Sequence, residues 1–285
     1  MFSLVLAIAP TIAIMVFIYN KDRYDKEPKL LLLKLFFFGI LTIIPTVLFE
    51  RMFISDIENV MNSSLLSIFL HSLTEIALVE EGFKYVALRL GTKKCKYFNQ
   101  MYDSIVYSVS VSLGFATVEN IMYVLSYGGK AGIMRSLTAV PGHAIFGITM
   151  GYYLGMATFT FVNKHKKKIY MAMSLLMPIL LHGIYDFLLL SQHVLLLLAF
   201  YPFMVYLYII GIKRANELCK IDNYNRRLEN QKRFHEENNN QQDFSFGRVD
   251  PYHYHDFNTR PYTNYRKVDY NYLKNPNQNN YEIKK

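Results

Sequence analysis

Charge is scarce in this 285-residue chain. Asp, Glu, Lys and Arg make up 19% of it against 52% hydrophobic residues, and the apolar residues stand in long blocks early on while the polar ones collect at the end. That arrangement excludes a water-soluble globular protein of this length. Cysteine is nearly absent too. Cys95 and Cys219 have no metal-ligand spacing and cannot build a multi-bridge framework; both fall in basic segments that read as cytoplasmic, where thiols stay reduced. The first apolar stretch lacks a basic leader and an A-x-A-like cleavage site, so it reads as a retained helix and not as a signal peptide. No internal repeat of fixed period is present. What the chain does have is a net charge of +9, from 31 Lys and Arg against 22 Asp and Glu. The basic residues sit in short clusters between apolar blocks, the pattern of membrane orientation and not of nucleic-acid binding.

A bilayer core takes roughly 20 apolar residues per helix. Seven segments meet that length: Phe2 to Tyr19, Leu30 to Leu48, Leu65 to Leu90, Ser104 to Leu125, Arg135 to Val162, Ile169 to Leu190 and His193 to Ile212. Their connections alternate in charge. Those after the first, third, fifth and seventh carry Lys21, Arg23, Lys26 and Lys29; Lys93, Lys94 and Lys96; Lys164, Lys166, Lys167 and Lys168; and Lys213 with Arg214. The others carry little beyond Arg51, Lys130 and Arg135. The positive-inside rule then puts the N-terminus outside and the C-terminus in the cytoplasm. The fold expected is all-α and polytopic, with about seven transmembrane helices over residues 1–214. Residues 215–285 form a polar, Asn- and Tyr-rich tail expected to be disordered, because it offers too little apolar surface to offset chain entropy. Ala215 to Glu237 can continue the last helix a few turns. His253 and His255, in the segment DPYHYHD from Asp250 to Asp256, read as solvated.

The informative residues are those that hydrocarbon disfavours. The third span contains Glu75, Glu80, Glu81 and Lys84, the fourth Glu119, the fifth His143, and the sixth His182 with Asp186. A central charge costs about 2.5–3.5 kcal/mol on insertion scales, so Glu80, Glu81, Glu119 and Asp186 left unpaired would cost roughly 10–14 kcal/mol. They must converge on one another or on water. Glu80 and Lys84 share a helix face, Glu81 is turned about 100° from Glu80, and His182 with Asp186 has the i, i+4 spacing that fixes an imidazole. His143, Gly147, Gly151 and Gly155 form a four-residue ladder, and Ser108, Ser110, Ser112 and Gly114 give the fourth span a thin profile. Small residues let helices approach closely. Spans three to six are therefore expected to form an inner bundle, with Pro141 and Pro178 bending two of them.

Such a set activates water in one of two ways. Histidine and glutamate can hold Zn2+, whose bound hydroxide attacks a carbonyl, or a glutamate can act as general base while histidines stabilise the oxyanion and protonate the leaving amine. No H-E-x-x-H helix is present. The ordered motifs are specific: Glu80-Glu81-Gly82-Phe83-Lys84 reads EExxK, Phe115 to Asn120 reads FATVEN and contains FxxxE, Pro141 to His143 opens PGHAxFG, and His182 to Asp186 reads HGIYD, or HxxxD. Over roughly residues 1–212 the chain resembles the PrsW family of bacterial membrane proteases, relatives of the type II CAAX prenyl endopeptidases.

That resemblance implies a multi-pass protein of the bacterial cell membrane that makes the first cut in a single-span anti-sigma factor, so that a sigma factor is released to drive a stress response. It makes Glu80, Glu81, Glu119, His143 and His182 the catalytic core, with Lys84, Asn120 and Asp186 in support. The CAAX relatives have a histidine where FxxxE places Glu119, which shifts the balance of acid and base. A cofactor-free, glutamate-activated water with Glu80 as base is favoured, and zinc held by His143, His182 and Glu119 is the other route. Cleavage outside the cell requires a cavity open from outside or from the side, since Glu80 and Glu81 lie past the midpoint of their span. Two rival classes use the same residues differently: a proton-coupled carrier or channel, against which no inverted repeat is visible, and a protease-like fold serving only as a membrane-binding partner.

Overall fold

The computed structural model describes residues 2–21, 26–53, 60, 63–246 and 268–269. Arg23, His253 and His255 lie outside the described residues. Hydrocarbon offers no partner for a backbone N–H or C=O, so an apolar chain of this kind satisfies them within helices. α1 (Phe2–Lys21) and α2 (Lys29–Phe53) come first. The third apolar segment is α3 (Leu65–His71), a π-helical turn (Ser72–Ala77) and α4 (Leu78–Thr92), with helical backbone angles at both junctions. α5 (Met101–Tyr127), the short α6 (Gly129–Leu137), α7 (Ala139–Phe159), α8 (Lys164–Leu190) and α9 (Val194–Phe246) follow. Two-residue strands β1 (Thr160–Phe161) and β2 (Val268–Asp269) pair in parallel.

Among the described residues, four helices are long and apolar enough to cross a membrane: Lys29–Met52, Met101–Tyr127, Lys164–Leu190 and Val194–Phe234; Ala7–Lys21 is apolar but shorter. The fifth apolar segment differs from expectation. Thr138, at φ −123° and ψ −69°, separates α6 from α7, so Arg135 belongs to the short α6 and α7 opens at Ala139. Pro141 then lies in the first turn of α7, where its missing N–H is no loss, and it starts the helix instead of bending it. Pro178 is interior to α8. The last helix runs past Arg214, as the stretch from Ala215 to Glu237 allows, and continues to Phe246. Ala215, Leu218 and Ile221 join the buried core beside α5, and the Asp222 carboxylate accepts from Met101 N–H at 3.2 Å and Tyr102 N–H at 2.7 Å, capping the start of α5. Residues 215–246 are thus a helical extension.

α5 is the axis of the fold. The glycine ladder of α7 lies against it; a Cβ on Gly151 would stand 2.3 Å from Ser108 Oγ and 2.4 Å from Ser104 O. Ser108 and Ser112 donate across this seam to the carbonyls of Gly147 (2.7 Å) and His143 (2.6 Å). Gly114 faces the other way, towards α2, where its Cβ would fall 2.0 Å from Phe36 O.

Candidate active site

Glu80 and Glu81 stand in the first turn of α4, directly after the π turn, and Lys84 follows at the spacings that bring an ammonium to both. Lys84 Nζ donates to Glu80 Oε2 and Glu81 Oε1, each at 2.9 Å, and to His143 Nδ1 on α7 at 3.2 Å. An ammonium has three protons, and all three are used. The Phe115 ring covers the cation with its centroid 3.9 Å from Nζ, and Lys84 is only 1% exposed.

Because Lys84 donates to Nδ1, His143 carries its proton on Nε2, which donates to Glu119 Oε2 at 2.8 Å. The same oxygen meets the Arg135 guanidinium at 2.8 Å. Arg135 also donates from Nε to Asn120 Oδ1 (3.2 Å) and lies 3.8 Å from the Tyr123 ring centroid. Asn120 donates to the carbonyl of Ala7 at 2.9 Å, tying α1 to α5. His182, from the middle of α8, directs Nδ1 at Glu81 Oε1 (3.1 Å) and Nε2 at Asp186 Oδ2 (3.2 Å), with Glu80 Oε2 at 4.0 Å. Phe146 stacks on it at 4.8 Å, and the two histidine rings are 5.3 Å apart, edge to face.

Glu80, Glu81, Lys84, Glu119, His143, His182 and Asp186 therefore form one connected network drawn from α4, α5, α7 and α8. Asn120 joins it only through Arg135. Glu75 stands apart, paired with His71 Nδ1 at 3.1 Å. A cavity of about 740 Å³ opens beside the network and is lined by Glu80, Glu119, His143, His182 and Asp186, but not by Glu81 or Lys84. Its other walls come from the end of α2, the π turn, α6 and the end of α8, the ends of the helices away from the lysine clusters.

Glu50 and His71 line the cavity and escaped the reading of the sequence, and Arg135, another lining residue, was read only as a connecting-loop charge. Glu50 lies just beyond the end drawn for the second span. His71 carried a signal, since it repeats with Glu75 the i, i+4 imidazole-carboxylate spacing of His182 with Asp186. Arg135 had none, because its partner lies on another helix.

Glu80, Glu81, His143 and His182 bring ligand atoms within 4.8 Å of one another, and zinc accepts these donor types. The space between three of them is filled by Lys84 Nζ, however, and both nitrogens of each imidazole already face a partner. Glu119 is in direct contact with His143 Nε2, which leaves no room for an ion between them. With these side chains as they stand, the donor set does not fit a metal.

A family model described as PrsW family intramembrane metalloprotease matches residues 27–211. The chain is 39% identical over 225 residues to Protease PrsW of Bacillus subtilis, covering 78% of this chain and 98% of that protein. It is 42% identical over 215 residues to Protease PrsW of Oceanobacillus iheyensis, covering 74% and 94%, and 38% identical over 192 residues to that of Clostridioides difficile, covering 66% and 79%. No solved structure matches. With a buried carboxylate-imidazole network beside a cavity and this similarity over most of its length, the chain belongs to the PrsW family and is a membrane protease.

Proposed function

We propose that the protein cuts a single-span membrane protein on the outer side of the membrane, as the first cleavage of an anti-sigma factor, and does so with a water activated by Glu80. In this reading residues 1–214 are the proteolytic unit and cross the membrane seven times, N-terminus outside, while residues 215–285 lie in the cytoplasm. The observation that carries it is the division of labour between adjacent carboxylates: Glu80 lines the cavity, whereas Glu81 is fully buried behind it. Glu80 takes a proton from water, whose oxygen bonds to the scissile carbonyl carbon. His143 and His182 face the cavity where the oxyanion develops, and His182 gives a proton to the nitrogen as the C–N bond breaks. Glu81 and Asp186 hold the His182 ring, and Glu119 holds His143.

The location of the cavity supports cleavage outside. Glu119 precedes the end of α5 by about 12 Å at 1.5 Å per residue, and His182 is equally far from the end of α8. Both ends lie opposite the lysine clusters, so a substrate segment entering from outside reaches the network without crossing the bilayer. The test is co-expression with a tagged single-span anti-sigma factor. Glu80→Gln and His182→Ala are each expected to reduce the cleaved fragment by about 10²- to 10⁴-fold while the protein stays in the membrane. A fragment that still forms at the wild-type rate in Glu80→Gln refutes the assignment.

A further inference from the structure

We propose that the Lys84 ammonium is the resident cation of the reaction centre, occupying the place that a metal ion takes in a metalloprotease. This rests on the hydrolase reading of the site above and deepens it, since the family model is described as a metalloprotease. The argument is one of geometry. A zinc ion held by Glu80 Oε2, Glu81 Oε1 and His143 Nδ1 would stand about 2.0–2.2 Å from each. The point roughly equidistant from those three atoms already holds Nζ, at 2.9, 2.9 and 3.2 Å, the separations of charge-assisted hydrogen bonds.

Both imidazoles and one oxygen of each glutamate are already engaged, and Glu81 Oε2 is buried without a hydrogen-bond partner. His143 spends Nδ1 on Lys84 and Nε2 on Glu119, and His182 faces Glu81 and Asp186. The ammonium has no alternative position, because Phe115 closes its open side and the residue is 1% exposed. Its place follows from the sequence, three and four residues after the two glutamates on one helix face. A cation fixed by a covalent tether does the electrostatic part of what a metal would do here. It neutralises the carboxylate pair, aims Glu80 at the cavity and sets the tautomer of His143. Unlike a metal, it is not removed by a chelator.

The full-length protein in detergent, dialysed against EDTA and then against micromolar Zn2+ or Co2+, distinguishes the cases by elemental analysis and by the visible spectrum of bound Co2+. Wild type is expected to hold well under one ion per chain, with no tetrahedral Co2+ spectrum and the same Tm before and after EDTA. Lys84→Met frees the carboxylates and His143 Nδ1 and is expected to take up about one ion per chain through the vacated donors, an uptake that the further change His143→Ala removes. Stoichiometric zinc in wild type, with a Tm that falls on chelation, overturns the proposal, and so does a folded Lys84→Met that binds no more ion than wild type. If Lys84→Met does not fold, the wild-type measurements alone decide. None of these readouts uses a substrate, so a failure of the proteolysis test leaves them standing and their failure leaves that test standing.

Discussion

Helices α5 and α9 are both long and apolar enough to cross a membrane, yet 78% of the apolar window is buried in α5 and 22% in α9. The difference is written in their side chains. α5 buries Asp103, Ser104, Ser108, Ser110, Ser112, Thr117 and Asn120 and carries Glu119, whereas α9 presents Leu195, Leu198, Val205 and Ile209 outward. Lipid satisfies no hydrogen bond, so a polar residue in a membrane helix is tolerable where neighbouring helices supply its partners. Polarity within an apolar span therefore marks the inside of the bundle, the reverse of its meaning in a water-soluble protein. The reaction centre gathers beside the helix that the others surround, which itself contributes Glu119.

The sharpest way to break that contrast is to force α5 away from its neighbour. Gly151 has no room for a side chain, since even a Cβ would stand 2.6 Å from Ile105 Cα in addition to its contacts with Ser104 and Ser108. Gly151→Leu is expected to abolish the folded protein, seen as loss of membrane-inserted material and of a cooperative thermal transition by circular dichroism. Overpacking at helix backbones cannot be relieved by a change of rotamer. If Gly151→Leu accumulated and unfolded like wild type, the serine-glycine seam would not be the close contact that organises the fold.

The seam was legible before the fold because both of its sides are local patterns, glycines and serines at helical spacing. The same holds for Lys84 against Glu80 and Glu81 and for His182 against Asp186, pairs fixed by one helix. The contacts that complete the network were not legible. His143 reaches Lys84 across 59 positions and His182 reaches Glu81 across 101; the cost of burying charge says that such groups must meet, but not which pairs. Helix ends were harder still. Thr138 breaks the fifth segment where hydropathy continues, and α9 passes Arg214 because Ala215, Leu218 and Ile221 repeat every three residues and pack on the core. The continuation over Ala215 to Glu237 was readable as a few further turns, and what the polarity of the stretch concealed is that the helix runs on to Phe246.

Arg135 tests the middle of the range, a residue of the short α6 acting on the network. It holds Glu119 through one guanidinium nitrogen and Asn120 through Nε. Arg135→Met is expected to lower cleavage by about 10- to 100-fold, since Glu119 and with it His143 lose their fixed positions and misplacement on the scale of 1 Å costs about 10². Tm should change little. Arg135→Lys should restore part of the loss, because a lysine reaches one partner but does not reproduce the planar fork. Cleavage at the wild-type rate in Arg135→Met would mean that Glu119 needs no cation beyond the network inside the bundle.

The smallest effect belongs on the outer face of α9. Leu198 is 59% exposed, while Leu207 on the same helix is fully buried and points inward. A leucine side chain facing lipid has hydrocarbon around it whether the protein is folded or not, and no hydrophobic force between helices is lost when it is shortened. Leu198→Ala is therefore expected to change stability by less than about 0.5 kcal/mol and to leave cleavage unchanged, measured by thermal unfolding in one detergent and by fragment yield in cells. A clear loss of stability would mean that this face is covered by protein, and the low burial of α9 would then describe a single chain instead of the assembly in the membrane. The comparison with α5 would have to be redrawn around that contact, since polarity would no longer be the only sign of an inward helix.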